Sequence, residues 1–246
     1  MEQIIYDRMA ELDTRHWWYR ARRDILHTLI GRKISPGANA KILEVGCGTG
    51  HNLAMLGSFG KVDAIELYAD ARVIASKRLG HPVFDARLPE LAGISRGHYD
   101  LVAALDVVEH VEDDVAALKA LGDCLAPGGR ILVTVPAFRW MWSGHDVANH
   151  HFRRYTQTSL RAAIAAAGLK IEFIGWYNSI LFPLAAIDRL IARVTGREGS
   201  TDTMPSAVIN WLFGTIFALE KHLIGRVPMT PGVSIAAVIS LPAAQS

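Results

Sequence analysis

The chain has 246 residues, of which 50% are hydrophobic and 20% are charged, so it can bury one large core and is not a disordered protein. Its formal net charge of +2 gives no electrostatic argument for a nucleic-acid partner. The two cysteines, Cys47 and Cys124, form no paired motif. This argues against a disulfide framework or a structural zinc site and favours a reducing, cytoplasmic location.

Membrane-related features of the sequence are weak. The N-terminal residues lack the basic start and the apolar run of a signal peptide. The longest apolar stretch, about 207–219, is interrupted by Asn210, Gly214 and Thr215, and it is shorter than the roughly 20 residues that span a bilayer. The sequence therefore predicts no spanning helix, although a mean hydropathy of +0.19 leaves a surface contact with lipid open.

Strands and helices alternate along most of the chain. A long helix is predicted over about residues 4–32, ended by the turn-forming residues 34–37. The later helices are predicted up to about residue 59 and at 69–78, 113–125 and 156–167. Apolar runs predict strands at 41–45, 61–66, 81–84, 99–105, 130–135, 169–174 and 233–241. This alternation is typical of a mostly parallel sheet with helices on both faces, and we expect one α/β domain over 1–246.

A glycine-rich loop follows the first predicted strand, in the order Gly46-Cys47-Gly48-Thr49-Gly50. Glycines let the backbone turn sharply and let a ligand approach closely, while the following helix offers unpaired N–H groups. Glu66 ends the second strand about 20 residues after the first glycine, the offset at which a carboxylate meets ribose hydroxyls. An ordinary turn and a solvated strand end would explain each feature singly, but their joint order favours a cofactor site.

Two residues depart from the fingerprint of dinucleotide-binding proteins. His51 stands where that fingerprint has its third glycine, and Glu44 stands at a position that is usually apolar. A carboxylate at the mouth of the loop suits a cofactor with an amino group and a sulfonium better than it suits a pyrophosphate. The two departures disfavour a nicotinamide-dependent oxidoreductase, which remains the alternative enzyme. A membrane-associated binding protein remains the non-enzymatic alternative.

Five segments carry a family resemblance in one order along the chain. The first is Ile42-Leu-Glu-Val-Gly-Cys-Gly-Thr-Gly50, and the others are 64–66, 84–86, 99–111 and 125–133. Together they resemble the motifs of class I S-adenosylmethionine-dependent methyltransferases, and the fourth segment is similar to that of ubiquinone-biosynthesis-type members. The resemblance covers about residues 38–176 and the final strand. It implies a Rossmann-like, seven-stranded sheet whose last strand is antiparallel. From the chain itself we expect an N-terminal helical cap at 1–36 and a helical insertion at 178–225.

The resemblance implies an enzyme that transfers a methyl group from S-adenosyl-L-methionine to a small-molecule acceptor by in-line displacement. The cofactor contacts that it implies are Glu44, Gly46, Cys47, Gly48, Gly50, Glu66, Leu67, Asp85, Ala86 and Leu105. Most of them lie where predicted parallel strands end, the edge at which open α/β sheets bind ligands. Asp85 matches the acidic residue that reaches the adenine amino group, and Cys47 is a small loop residue rather than a nucleophile.

The N-terminal helix carries Trp18 and Arg22, which are four residues apart and so share one face. We expect this face to cap the cofactor, with Arg22 meeting the cofactor carboxylate through charge-assisted hydrogen bonds. The segment is similar to the N-terminal helix of some methyltransferase relatives. The alternative is that Trp17 and Trp18 pack on the sheet while the arginines are solvated.

Three histidines are candidate general bases for an acceptor that must lose a proton. His110 follows the fourth strand, while His145 and His151 lie in the polar, aromatic loop 136–155, which is long for a plain connection. Asp146 is predicted to orient His145. Alternatively, Glu109 and His110 only organise a turn, and the loop is polar surface with solvated arginines. Because the loop has no cysteine and no helical i, i+4 histidine pair, the sequence predicts no metal site.

The insertion 178–225 contains two apolar segments, about 179–194 and 207–224, the first with helical spacing. Four interpretations stay open: a helical pair buried in the core, a lid over the active site, a homodimer interface, or a contact with a membrane surface. A lid would give the site an apolar pocket. We therefore expect an acceptor that is apolar or lipid-like, for example an isoprenoid-linked molecule.

Overall fold

Six strands form one mixed sheet within the described residues, which are 3–196 and 204–243 of this computed structural model. The strands are β1 Ala40–Val45, β2 Gly60–Ile65, β3 Tyr99–Leu105, β4 Leu125–Pro136, β5 Lys170–Tyr177 and β6 Ser234–Ser240. Their order across the sheet is β2-β1-β3-β4-β6-β5. Neighbours from β2 to β4 pair in parallel, whereas β6 is antiparallel to both β4 and β5. The predicted antiparallel last strand is therefore confirmed.

The predicted strand at 81–84 is wrong, and the expectation of seven strands fails with it. Among these residues only Phe84 reaches the sheet, through an isolated parallel bridge to Ile65. Pro82 has no N–H group to donate to a neighbouring strand. The N–H of Val83 donates to the hydroxyl of Ser76 at 3.0 Å instead of to β2. The segment therefore adds one paired residue beside β2 and no strand.

Helices precede the sheet, connect its parallel strands and fill the interval between β5 and β6. Those of the described residues are α1 Gln3–Leu12, α2 Trp17–Lys33, α3 Leu53–Gly57, α4 Ala69–Leu79, α5 Asp114–Asp123, α6 Gly144–Ala148, α7 Gln157–Ala166, α8 Phe182–Thr195, α9 Ala207–Ala218 and α10 Glu220–Leu223. Short 3-10 turns at Val108–His110 and Arg139–Met141 follow β3 and β4. The loop 136–155, predicted to lack regular structure, therefore contains the second of these turns and α6.

The single helix predicted over residues 4–32 is wrong, because the chain turns between α1 and α2. Asp13 and His16 are buried in this turn. The Nδ1 atom of His16 accepts a hydrogen bond from the N–H of Trp18 at 3.3 Å and so caps α2. An acceptor at this position satisfies one of the N–H groups that a helix N-terminus leaves unpaired. α1 and α2 are therefore two separate helices.

The apolar core lies on both faces of the sheet. Along β3, Val102 and Ala104 belong to the cluster on one face, and Leu101 and Ala103 belong to the cluster on the other. Every residue of β6 is buried. Strands covered on both faces explain the near-continuous apolar runs in the sequence. The sheet is therefore a rigid support whose polar edge residues stand out as candidates for function.

The helices of the insertion lie mostly at the surface, and residues 197–203 of it are outside the described residues. No residue of α8 is buried, and Phe217 is the buried residue of α9. The interpretation of a helical pair buried in the core therefore fails for α8. α9 is anchored to α2, since the ring of Trp17 packs against Phe213 and Phe217 with centroids 5.5 and 5.8 Å apart. Within the described ranges, no helix combines the length and the apolar character needed to cross a membrane.

Candidate cofactor and acceptor site

The candidate site lies at the carboxyl ends of β1 to β4. β1 stands between β2 and β3, so the chain leaves it toward one side of the sheet and later returns on the other. Open α/β sheets bind ligands in the crevice that such a reversal leaves at the carboxyl ends. The glycine loop follows β1, Glu66 follows β2 and Asp106 follows β3. The strand order therefore brings together predicted cofactor residues that are far apart in sequence.

The glycine loop requires its glycines for both conformation and space. Gly46, Gly48 and Gly50 have φ angles of +67°, +57° and +86°, in the left-handed region that other residues rarely adopt. A Cβ atom on Gly46 would lie 2.9 Å from Cγ2 of Val107, and one on Gly50 would lie 2.6 Å from Cδ1 of Leu53. The loop is therefore a tight bend of bare backbone between β1 and the residues after β3.

The carboxylate of Glu66 is tied to this loop. Its Oε2 atom accepts a hydrogen bond from the N–H of Gly48 at 2.8 Å, and its Oε1 atom accepts one from the N–H of Tyr68 at 2.9 Å. These charge-assisted bonds hold the side chain at the end of β2 beside the glycine loop. The structure thus places Glu66 where the sequence spacing predicts a ribose-binding carboxylate.

α1 covers this part of the site. The hydroxyl of Tyr6 donates to Oε1 of Glu66 at 3.5 Å. The sulfur of Met9 lies 3.3 Å from the position that a Cβ atom on Gly48 would take. The sequence predicts a helical cap at 1–36, and the structure shows that its first helix is the part that lies on the glycine loop.

Glu44, near the end of β1, is buried with half of its carboxylate unpaired. Its Oε1 atom accepts from Nδ2 of Asn52 at 2.9 Å, whereas Oε2 has no hydrogen-bond partner among the described residues. Burial raises the pKa of Glu44 to about 7; the charge of Glu66 acts in the same direction, and Asn52 and Arg22 act against it. A buried acceptor without a partner is costly, and a ligand with an ammonium group would satisfy it.

Arg22 reaches the same edge from α2 and is buried. Its Nη2 atom donates to Asp106 at 2.6 Å and to the hydroxyl of Thr134 at 3.1 Å. The guanidinium carbon lies 5.2 Å from the centre of the Trp18 ring, so the predicted shared face is confirmed and the solvated alternative is wrong for Arg22. Burial opposes the charge, but Asp106 outweighs it, and the pKa of Arg22 lies above its ordinary value. The Nε atom has no partner within the described ranges.

The remaining predicted cofactor residues differ in exposure. Three of them are buried: Cys47, Ala86 and Leu105. Burial raises the pKa of the Cys47 thiol, which fits a small loop residue rather than a nucleophile. Leu67 is exposed, and the carboxylate of Asp85 pairs with Nη2 of Arg72 at 3.1 Å on the surface. Asp85 and Leu67 therefore lie at the outer, solvent side of the site.

The three candidate bases meet at one place although they come from two segments of the chain. The ring centroids of His110 and His151 are 4.5 Å apart, and those of His145 and His151 are 6.2 Å apart. Burial, together with the neighbouring ring of His151, lowers the pKa of His110 to about 4, so its ring is neutral at neutral pH. A cluster of three imidazoles exceeds what a simple turn after β3 requires.

Asp146 holds His151, whereas the sequence suggested His145. Its Oδ1 atom lies 2.9 Å from Nδ1 of His151 and 2.7 Å from Nε of Arg154. Burial opposes the ionisation of Asp146, but the hydrogen bonds from His151 and Arg154 outweigh it and keep its pKa below the ordinary range. Asp146 directly follows His145 in α6, and consecutive side chains of a helix point about 100° apart. Arg154 is therefore paired and buried, not solvated as the alternative had it.

Glu109 belongs to this cluster, and the sequence gave no functional reason to select it. Its side chain is fully buried, and neither carboxylate oxygen has a hydrogen-bond partner among the described residues. Burial raises its pKa well above the ordinary value, and Asp106 acts in the same direction. The sequence also did not single out Asn52, Asp106 or Thr134, because no local pattern marks a polar residue whose partner lies on another element.

Comparisons with known proteins identify the family of the chain. Residues 13–172 match the family model of a methyltransferase domain. The chain is similar to the ubiquinone biosynthesis O-methyltransferase of Xanthomonas axonopodis pv. citri, with 29% identity over 195 residues, covering 68% of this chain and 80% of that protein. Its fold is similar to a SAM-dependent methyltransferase from Archaeoglobus fulgidus, with a TM-score of 0.54 and 14% identity over 88% of this chain and 93% of that one.

A second solved structure has the same fold. It is a geranyl diphosphate C-methyltransferase from Streptomyces coelicolor, in complex with Mg²⁺, geranyl diphosphate and S-adenosyl-L-homocysteine. The TM-score is 0.56 and the identity 13%, covering 86% of this chain and 76% of that one.

The glycine bend at the reversal of strand order, the carboxylate after β2 and the antiparallel last strand define a Rossmann-like methyltransferase fold. The chain belongs to the methyltransferase-domain family, and it is an S-adenosylmethionine-dependent methyltransferase. The residues present fit that cofactor, because its amino acid end carries an ammonium group and a carboxylate. In the part of the chain that the structure describes, Oε2 of Glu44 is an acceptor without a partner and Nε of Arg22 is a donor without one, which complements these two groups. The oxidoreductase alternative is therefore not retained.

Proposed function

We propose that this enzyme methylates a small acceptor that is apolar or lipid-like. The observation that supports this is the packing of α8 on the loop that carries His145 and His151. The ring of Phe182 in α8 lies 5.5 Å from that of Phe138 and 6.2 Å from that of Trp140, both in that loop. This packing favours the lid interpretation of the insertion, in which aromatic and aliphatic side chains enclose the acceptor. The similarity to a ubiquinone biosynthesis O-methyltransferase supports the same class of acceptor.

We assign the cofactor contacts from the unpaired atoms and from position. Glu44 would accept from the cofactor ammonium group, and Arg22 would donate to its carboxylate with Trp18 beside it. Glu66 would accept from the ribose hydroxyls at the glycine loop. The adenine would lie between Leu105 on one side and Leu67, Asp85 and Ala86 on the other. Each assignment pairs a group that the cofactor must satisfy with a complementary atom at the carboxyl edge of the sheet.

For this reaction the protein mainly has to position the methyl donor and the acceptor. S-adenosylmethionine supplies a methyl group on a sulfonium, which the acceptor atom takes by in-line displacement. The protein aligns the acceptor and excludes water. Where the acceptor atom carries a proton, a base must remove it. We assign this role to the cluster of His110, His145 and His151, in which Asp146 fixes the orientation of the His151 ring.

Binding of the cofactor also requires a movement of α1. In the structure the Tyr6 hydroxyl donates a hydrogen bond to Oε1 of Glu66, and the sulfur of Met9 lies against Gly48. The ribose hydroxyls of the cofactor would replace the contact of Tyr6 with Glu66. The part of the cofactor that lies on the glycine loop would replace the contact of Met9 with Gly48. We therefore expect α1 to open for entry of the cofactor and to close over it afterwards, which would exclude water from the site.

Transfer of a labelled methyl group tests the acceptor class. The purified enzyme is given methyl-labelled S-adenosylmethionine with either a lipid extract or a water-soluble metabolite extract, and we expect label in the lipid products. A His151→Asn variant should lower kcat by about 100-fold or more, the scale of lost base catalysis, with unchanged cofactor affinity. The matched control is His150→Asn, at an exposed neighbouring position. Label confined to water-soluble products would overturn the proposed acceptor class.

The affinity for S-adenosylmethionine should rise with pH through the pKa of Glu44, about 7. Only the ionised carboxylate attracts the cofactor ammonium group, so we expect a roughly tenfold gain between about pH 6 and about pH 7.5. The free protein should lose stability at lower pH, between about pH 4.5 and about pH 7, and change little above that. Its Glu44 stays protonated up to about pH 7, whereas an unfolded chain already releases that proton near its ordinary pKa.

Calorimetric titration of the cofactor at several pH values measures the first effect, and denaturant unfolding measures the second. A Glu44→Gln variant keeps the shape of the side chain, accepts no proton in this range and should flatten both profiles. Glu90, an exposed glutamate outside the site, provides the matched Glu90→Gln control. An unchanged pH dependence in Glu44→Gln would remove Glu44 from the cofactor site.

We also propose that the insertion rests on a membrane surface. The contact would use its insertion face, the exposed apolar side chains of Leu184, Ile187, Ile191, Val194, Val208 and Trp211. The first four recur every three or four residues and so lie along one side of α8. The exposed Arg193 on the same helix adds positive charge, which attracts anionic headgroups. This arrangement is typical of a helix that lies in the plane of a membrane interface.

Sedimentation with anionic phospholipid vesicles tests the membrane contact. An Ile187→Glu/Ile191→Glu double variant should weaken vesicle binding at least about tenfold, because burying each isoleucine contributes about 1.5–3 kcal/mol. The matched control is Val73→Glu, at an exposed apolar position on α4. The proposal would be contradicted if the parent protein did not bind vesicles but formed dimers, and if the double variant were monomeric. That result would show that a second copy of the chain covers this face instead.

A further inference from the structure

Glu109 is the buried ionisable side chain that the proposed function leaves unexplained. It lies in the 3-10 turn directly after β3, with both carboxylate oxygens buried and unpaired within the described ranges. Transfer of a carboxyl group out of water without compensating hydrogen bonds is unfavourable. Folded proteins seldom keep such a group unless a ligand, an ion or a catalytic role requires it. The surroundings of Glu109 identify what it can bind.

Two histidines face Glu109, one from its own turn and one from the loop after β4. A carboxylate oxygen of Glu109 and one ring nitrogen each of His110 and His151 all lie within 4.8 Å of one another. The two segments are joined at this point, because the N–H of Phe152 donates to the backbone carbonyl of Glu109 at 2.8 Å. Two imidazoles and one carboxylate are the donor set of many three-ligand metal centres.

Both histidines are prepared to act as ligands. Nδ1 of His151 is held by Asp146 at 2.9 Å, which leaves Nε2 for a metal ion. A carboxylate on the far nitrogen fixes the ring and makes the near nitrogen a better donor, and it is the usual support of a metal-binding histidine. The ring of His110 contacts the backbone of Asn149, which fixes its orientation toward Glu109 and His151.

An ionised Glu109 would have no balancing charge within the described ranges. Arg22 is ion-paired with Asp106, and Arg154 is ion-paired with Asp146, so these four groups compensate one another. Ionised Glu109 would then be the unbalanced charge in a buried place. A bound cation removes this imbalance, since buried charges are tolerated when they are paired or coordinate a metal.

We propose that Glu109, His110 and His151 form a binding site for a divalent transition-metal cation, such as Zn²⁺ or Mn²⁺. Two nitrogen donors select such cations over Mg²⁺ and Ca²⁺, which prefer oxygen ligands. Three protein ligands leave at least one coordination position for water or for an acceptor oxygen. The site extends the proposed function, because with a cation bound His145 is the histidine left to act as base. Its test is metal binding, which does not depend on that function.

The experiment measures binding of Zn²⁺, Mn²⁺ and Mg²⁺ to tag-free protein by calorimetry and by metal analysis after dialysis, with Co²⁺ as a spectroscopic probe. We expect one Zn²⁺ or Mn²⁺ per chain, and with Co²⁺ a visible absorption spectrum of a low-coordinate site with nitrogen ligands. Glu109→Gln and His151→Asn should each weaken binding by more than 100-fold. Asp146→Asn, which acts only through His151, should weaken it by about 10–100-fold. The matched control is Glu112→Gln, at an exposed position three residues away.

Stability separates a metal ligand from a structural residue. Glu109→Gln removes a buried, unpaired ionisable group, so the metal-free variant should melt at the same temperature as the parent or higher. Zn²⁺ should raise the melting temperature of the parent and of Glu112→Gln but not that of Glu109→Gln. If none of these cations binds, if only Mg²⁺ binds, or if binding survives in Glu109→Gln, the proposed site is refuted. If metal binds as expected while labelled methyl transfer fails, the proposed acceptor fails and the metal site stands.

Discussion

Replacing Glu66 with alanine is expected to weaken S-adenosylmethionine binding by about 100-fold or more. Hydrogen bonds to a charged group contribute about 1.5–3 kcal/mol each, and in the proposed site the carboxylate would accept from both ribose hydroxyls. The free protein should also lose about 1–3 kcal/mol of unfolding free energy, because the N–H groups of Gly48 and Tyr68 lose their acceptor. Calorimetric titration of the cofactor and denaturant unfolding measure the two effects separately.

The control for this variant is Glu90→Ala, which removes a glutamate that is exposed and lies outside the site. It should change neither cofactor affinity nor stability by a measurable amount, as exposed ion pairs contribute little. S-adenosylhomocysteine should respond to Glu66→Ala as S-adenosylmethionine does, because both carry the ribose. A variant that is less stable but binds both ligands normally would show that Glu66 only supports the glycine loop.

Replacing Arg22 with methionine is expected to cost about 3 kcal/mol of unfolding free energy and most of the cofactor affinity. Removing one partner of a buried ion pair leaves an unpaired charge, here that of Asp106, and costs about 3–5 kcal/mol. We expect the lower end of that range because the Asp106 side chain is still 29% exposed to water. Methionine keeps much of the apolar stem of arginine, so the variant reports mainly on the charge.

Two further variants separate a structural role of Arg22 from a direct contact with the cofactor. Arg20→Met, at an exposed position of the same helix, should leave stability within about 0.5 kcal/mol of the parent. Asp106→Asn added to Arg22→Met should recover part of the lost stability, because the unpaired charge is gone and asparagine tolerates the φ of +61° at this position. Recovery of stability without recovery of cofactor binding would show that Arg22 contacts the cofactor directly. Full recovery of both would leave Arg22 a purely structural role.

The features that could be predicted are those encoded in one continuous stretch of the sequence. The glycine loop, Glu44 and Glu66 follow from residues whose backbone preferences and spacing are local, and the structure places all of them at one edge of the sheet. The segment 81–84 has the composition of a strand but contributes only Phe84 to the sheet. Its failure depends on Pro82 and on a hydroxyl of the neighbouring helix, so composition alone could not reveal it.

Pairings between distant side chains required the tertiary structure. Asp146 contacts His151, five residues further along the chain, whereas the sequence predicted its neighbour His145. The direction in which a helical side chain points depends on its position in the turn. Arg22 of α2 meets Asp106, which follows β3, and Thr134, which lies in β4. A pattern along the chain contains no information on which of many charged residues will face one another.

By itself, the sequence determined the class of fold and the cofactor, and it selected the glycine loop and Glu66 as candidate contacts, because short motifs fix backbone bends and strand ends through local conformational preference. Tertiary structure decided the rest: six strands, a helix turned onto the glycine loop, and a buried carboxylate between two histidines. Those features arise only when strand order and packing bring segments together, since burial and charge pairing are properties of the folded surroundings and not of any residue alone.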